Sequence, residues 1–226
     1  MRGWETYVRK VEPYVPGEQP KRKVIKLNTN ENPYPPSPRV QKVLDGFDAE
    51  ELRLYPDPEA ADLIEAIALE KGLSKDQIFV GVGSDDVLAM SFLTFFGSNK
   101  PILFPDITYS FYDVWAELFR IPYVQIPLQK DFRICIEDYK RENGGIVIPN
   151  PNAPTGIAES LDAIEEILKT NPDSVVIIDE AYVDFGTKSA LALLPKYENL
   201  LVVQLIQYPL YDDIHHASFA VVGRAH

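Results

Sequence analysis

Residues 174–185, SVVIIDEAYVDF, run from an apolar stretch straight into charge. A short unbroken run of β-branched residues is the pattern of a strand covered on both faces, which belongs to a parallel sheet. The carboxylate of Asp179 follows that run, so it sits where a buried strand ends. A carboxylate in that setting needs a cation or a hydrogen-bond donor. A protonated ring nitrogen is one such partner, and Tyr182, three residues on, is placed to reach an oxygen on the same ring. The other reading is an aspartate that caps the next turn.

Outward from this strand the chain alternates. DPEAADLIEAIALEKG (57–72) puts Leu63, Ile64, Ile67 and Ala68 at helical spacing, with Asp57 or Pro58 opening the first turn and Gly72 closing the last. QIFVGVG (77–83) reads as a strand, and SDDVLAMSFLTFFG (84–97) as a helix capped by Ser84. Strand PILFP, helix YSFYDVWAELFR and strand YVQIPL follow. Then come strand GGIVIPNP, helix ESLDAIEEILKT, the strand quoted first, and strand LLVVQLI. The fold class is therefore α/β, a mostly parallel sheet with helices on both faces. Residues 1–38 form a proline-punctuated extended arm, and 39–226 form the large domain.

In such sheets ligands bind beyond the carboxyl ends of the strands. GVGSDD (81–86) joins a strand end to a helix start, and the helix N-terminus makes an anion site suited to phosphate. A plain N-cap with flexible glycines reads equally well, and the dinucleotide fingerprint fails because Asp86 stands at its third glycine. Tyr109 follows another strand end, placed for stacking on a flat heteroaromatic ring or for ordinary core packing. IPNPNAPTG (148–156) specifies a rigid loop, with Asn150 and Asn152 offering amide donors, as a site or as a structural turn.

Charge excludes some partners. With 22 basic and 34 acidic residues the net charge is -12, which argues against nucleic acid and anionic membrane surfaces. One cysteine, Cys135, forms no disulfide within the chain and fits a reducing compartment. The first residues hold no apolar signal segment and no run is long enough to span a bilayer, so a cytoplasmic protein is expected.

Six segments occur in one order: LNTNENPYPP (27–36), LYPDP (54–58), GVGSDD, PDITYSFY (105–112), PNPNAPTG (149–156) and IIDEAYVDF (177–185). Together they resemble the histidinol-phosphate aminotransferase family, fold-type I enzymes that use pyridoxal 5'-phosphate. The resemblance implies exchange of an amino group between glutamate and imidazole-acetol phosphate, in histidine biosynthesis. It implies that the amides of Gly83, Ser84 and Asp85 hold the cofactor phosphate and that Tyr109 stacks on the pyridine ring. Asp179 would pair with the ring nitrogen and Tyr182 with the phenolic oxygen. Tyr55 would reach the phosphate of the neighbouring subunit, implying a homodimer, and Asn30, Glu31 and Asn32 would line the substrate pocket. Small amino-acid and keto-acid substrates are the expected partners.

Two departures stand out. Ala153 occupies the position before Pro-Thr-Gly where these enzymes carry asparagine, with Asn152 beside it as the candidate stand-in. After Leu200–Gln204 the family carries a Ser-Lys segment whose lysine forms the Schiff base, and an arginine for the phosphate. Here LIQYPLYDDIHHAS (205–218) holds neither lysine nor arginine, and Lys188 and Lys196 fall in another element. No catalytic residue is therefore assigned, the small C-terminal domain is expected to be missing, and the chain is expected to be inactive alone. Other aminotransferases and threonine-phosphate decarboxylases share most of these motifs, and a non-catalytic cofactor-binding or dimerisation module is the reading outside enzymes. YDDIHH (211–216) offers carboxylates and imidazoles, but adjacent histidines point apart on a strand, so no metal is expected.

Overall fold

The computed structural model describes residues 2–12, 20–22, 24, 25, 28, 30, 35, 37–206 and 218–222. Helices α1 (Pro38–Gly46) and α2 (Ala61–Lys71) lead into β1 (Ile78–Gly81), α3 (Gly83–Phe95), β2 (Ile102–Pro105), α4 (Phe111–Phe119) and β3 (Tyr123–Ile126). Then follow β4 (Gly145–Pro149), α5 (Leu161–Thr170), β5 (Val176–Glu180), β6 (Leu200–Leu205) and β7 (Ser218–Val222). The sheet order is β1-β7-β6-β5-β4-β2-β3. Only β7 runs antiparallel to its neighbours, pairing with β1 and β6, so the expected mostly parallel sheet is what forms. Among the described residues no helix is long and apolar enough to cross a membrane.

Strand alternation sorts the core into two layers. Ile146, Ile148, Val176, Ile178 and Val202 point to one side, against Ile67 of α2 and Ile164 and Ile167 of α5. Val147, Ile177, Leu201 and Val203 point to the other, against Val87, Leu88 and Phe92 of α3 and Tyr112 and Trp115 of α4. Carried one step past the core, the same parity decides what each strand end does. Pro149, Asp179 and Leu205 continue the α3–α4 side. Glu180 and Gln204 continue the α2–α5 side.

Two helix starts differ from the sequence expectation. α2 begins at Ala61, not at Asp57 or Pro58, because the Asp57 carboxylate accepts from Ala61 N at 2.7 Å and Glu59 N at 3.1 Å and holds a turn outside the helix. α3 begins at Gly83 rather than behind a Ser84 cap. Asp86, inside the helix, reaches back to accept from Val82 N at 3.2 Å, so the capping comes from within. Gly72 closes α2 in the left-handed conformation, φ 66°, as the glycine there predicts.

Candidate functional site

The carboxyl ends of β4, β5 and β6 and the opening turn of α3 line a small recess of about 70 Å³. Ser84, Tyr109, Ala153, Asp179, Tyr182 and Leu205 are among its walls, with Pro149, Pro151 and Ala181, and none of these is basic. A larger open groove beside Lys71–Gln77 and Leu191–Pro195 lies in the α2–α5 layer, away from these strand ends.

The glycines of GVG shape one wall. A side chain on Gly81 would come within 2.8 Å of Asp86 Oδ2 and 2.9 Å of Val87 Cγ2, so α3 packs this close to β1 only with glycine there. Gly83 sits at φ +87° and turns the chain into the helix. Beyond it lie Ser84 and Asp85, in the turn whose N–H groups have no partner within a helix. Asp85 is tied in differently: its Oδ1 accepts from the Tyr109 hydroxyl at 2.8 Å, which pins that ring over the recess.

Asp179 is 5% exposed. Its Oδ2 accepts from the Tyr112 hydroxyl at 2.6 Å and its Oδ1 from Ala181 N at 3.1 Å. Burial pushes its pKa up; those two hydrogen bonds oppose the shift, and the nearby Asp85 adds to it. Burial likewise drives the Tyr112 phenol well above its ordinary range, helped by the carboxylate it faces. An anion here therefore wants a cation, and the described walls of the recess offer none. Tyr182 reaches the arm instead, where Asn30 Nδ2 donates to its hydroxyl at 3.0 Å. Asn30 adopts φ 51° to do so.

Of the sequence-predicted residues, Ser84, Tyr109, Asp179 and Tyr182 meet at the recess, with Gly83 and Asp85 flanking Ser84 and Asn30 joined through Tyr182. Asn152 does not line it. Its Nδ2 donates to Ile107 O at 2.9 Å and Thr155 Oγ1 at 3.1 Å, and its Oδ1 accepts from Thr108 at 3.1 Å. Asn150 is spent similarly, exchanging bonds with Glu159 N at 2.8 Å and Glu159 O at 3.4 Å. Both amides brace the loop, because a proline-rich turn at a strand end leaves backbone groups that need local partners. Tyr55 is fully exposed, outside the recess of its own chain. Glu31, Asn32 and residues 207–217, with the YDDIHH segment, lie outside the described residues. Among the described residues no cluster of metal-ligating side chains occurs.

Sequence reading missed Tyr112 and Glu180. Tyr112 lies one helical turn from Tyr109 within PDITYSFY, a signal readable only once Asp179 is known to face α4. Glu180 is fully buried and accepts from Ser189 Oγ (2.6 Å), Ala190 N (2.6 Å) and Gln204 Nε2 (2.7 Å). Burial raises its pKa against those three donors, and it ties β5, β6 and the 3-10 turn Ala190–Leu193 together.

An aromatic ring, a helix N-terminus and a buried carboxylate with no cationic partner among the described residues meet at adjacent strand ends, where α/β folds bind their ligands. The profile of the aminotransferase class I and II family matches residues 22–204, and the chain belongs to that family. It is 57% identical over 202 residues to the histidinol-phosphate aminotransferase of Lactococcus lactis subsp. cremoris strain MG1363, covering 89% of this chain and 57% of that one. The Acinetobacter baylyi enzyme of the same name is 58% identical over 208 residues, covering 90% and 58%. The chain thus spans less than two thirds of the length of these curated relatives. Its fold matches the histidinol-phosphate aminotransferase of Sinorhizobium meliloti, solved in complex with pyridoxal-5'-phosphate, with a TM-score of 0.75 at 21% identity over 86% of this chain and 55% of that one.

Proposed function

We propose that this chain is the cofactor-holding large domain of a cytoplasmic, homodimeric histidinol-phosphate aminotransferase that uses pyridoxal 5'-phosphate. Its reaction moves an amino group between histidinol phosphate and 2-oxoglutarate, giving imidazole-acetol phosphate and glutamate, in histidine biosynthesis. The observation that carries the cofactor reading is Asp179, a buried carboxylate on a recess where no described residue is basic. The high identity to curated enzymes of that name supports the substrate.

The residues fit the ring and the phosphate. Asp179 would hold a protonated ring nitrogen, Tyr109 would lie against the ring, and Gly83, Ser84 and Asp85 would hold the phosphate through their amides. Tyr182 is placed to donate to the phenolic oxygen while Asn30 holds its hydroxyl from the arm. Glu31 and Asn32 would complete the substrate-lining segment, and Tyr55 would serve the phosphate in the partner's site. When bound, the cofactor supplies an electron sink for charge developing at the substrate's Cα. This chain's part is to orient that ring and keep its nitrogen charged.

The covalent anchor is another matter. Among the described residues no lysine lines the recess, and none follows Lys196 in these 226 residues. Of the described residues, none takes the role of the base that would carry the proton at Cα, so this chain is expected to bind the ring without turning over. Absorbance of the purified chain with pyridoxal phosphate, then borohydride reduction and peptide mapping, tests this. The expected result is saturable binding without a stoichiometric lysine adduct. A unique adduct accompanied by transamination would overturn the inactive reading, and no binding would overturn the cofactor reading.

A further inference from the structure

Asp179 has a partner on α4 that the reading above leaves without a role. Tyr112 is completely buried and stays off the walls of the recess, yet its hydroxyl lies 2.6 Å from Asp179 Oδ2. Its ring is fixed on several sides: Phe92 stacks at 6.2 Å, and Phe104 and Tyr109 meet it nearly edge-on, each at 5.8 Å. Trp115 lies at 6.3 Å. A phenol locked in this way delivers its O–H along one direction. An ionised carboxylate only accepts, so the hydrogen of this bond belongs to Tyr112.

We infer that Tyr112 is a positioning residue: its phenol and the Ala181 amide clamp the two oxygens of Asp179, keeping that carboxylate charged and turned toward a protonated ring nitrogen in the recess. This rests on the cofactor reading proposed above. The carboxylate needs such help, because among the described residues every other titratable group facing it is acidic or phenolic. Asp85 comes from α3, and Tyr109 and Tyr182 complete the set, while Glu180, next along β5, points to the opposite side of the sheet. Burial and Asp85 favour the neutral acid; Tyr112 and Ala181 favour the anion. With the phenol removed, the balance moves toward a neutral Asp179, which pairs poorly with a pyridinium. The competing role for Tyr112 is filler in the aromatic cluster, which would make the hydroxyl dispensable.

Tyr112→Phe keeps the ring and deletes the hydroxyl. Carbon-13 NMR titration of the Asp179 carboxyl in the full chain, without ligand, should show its midpoint rising by about one pH unit or more, the size expected for losing a charge-assisted hydrogen bond. Trp115→Phe, which disturbs the same cluster but leaves the hydroxyl, should leave that midpoint in place. In a second arm, affinity is measured for pyridoxamine phosphate and for its analogue with carbon in place of the ring nitrogen. Tyr112→Phe should weaken the first about tenfold and leave the second unchanged. An unmoved midpoint, or equal loss for both ligands, overturns the inference. If the unaltered chain binds neither compound, the cofactor reading fails, while the titration still decides whether Tyr112 governs Asp179.

Discussion

A carboxylate that is 5% exposed, with one phenol and one amide as donors, is held short of the hydration it has in water. Its pKa in the fold is raised chiefly by burial, so the folded state binds this proton more tightly than the unfolded chain does. Stability from this site is therefore greatest below the ordinary carboxylate range and falls as pH rises through the folded value. Asp179→Asn cannot ionise and escapes that cost. Without ligand, the variant should melt above the parent chain near neutral pH, and the gap should close at about pH 3, where Asp179 of the parent is largely neutral in both the folded and the unfolded state. Glu180, raised chiefly by burial, is also raised by the Asp179 charge, so its contribution changes in the same direction and adds to the variant's advantage near neutral pH. The same substitution should weaken pyridoxamine phosphate binding roughly 10–100-fold, the worth of one charged hydrogen bond. Paired thermal melts and ligand titrations would check both signs. A variant that is less stable than the parent near neutral pH, or that binds equally well, contradicts the assignment of Asp179 as an anion awaiting a cation.

Between strands and helices the turns carry the demanding geometry. Gly83 at φ +87° turns the chain from β1 into α3, in a region where any other L-residue is strained. Open space surrounds the position a side chain would take, so the cost of Gly83→Ala is conformational. A loss of about 1–2 kcal/mol in urea denaturation is expected, with weaker binding of phosphate-bearing ligands as the first amides of α3 re-aim. An alanine variant of unchanged stability would show that the turn relaxes freely. Below the turn, Ile177 is fully buried in the α3–α4 layer, and Ile177→Ala should cost about 2–5 kcal/mol by leaving a cavity. At this scale the sequence was most readable. Apolar runs of β-branched residues announce β4, β5 and β6, and the residues just past them announce the recess. Side-chain partners across elements were not readable. Asn152 stands where an amide suits a ligand, yet the loop it belongs to has backbone groups of its own to satisfy. The Tyr112–Asp179 pair spans 67 positions and depends on which way each strand residue faces. Parity within a strand shows in sequence; which layer a parity meets is settled only when the helices pack.

Across the whole molecule, several large apolar side chains stand exposed. Leu52, Leu54 and Tyr55 before α2 are more than half exposed, as is Leu93 of α3, and Phe79 and Met90 are nearly so. The proposed function calls for a second copy of the chain, whose contact would cover some of them. If Tyr55 serves the partner's phosphate site, the two defects Tyr55→Ala and Asp179→Asn should complement each other. In a mixed dimer, the site built on the Tyr55→Ala chain keeps its own Asp179 and receives the intact Tyr55 of the other subunit. The second site has neither. Refolding the two variants together should therefore restore high affinity for pyridoxamine phosphate in one of the two sites of each mixed dimer, although each variant alone binds weakly. Were Tyr55 to act on its own chain's recess, no site in the mixture would be whole, and mixing would recover nothing. Sedimentation velocity on the same samples separates that outcome from a simple failure to associate, since complementation requires dimers and a monomeric chain would remove the shared-site reading altogether.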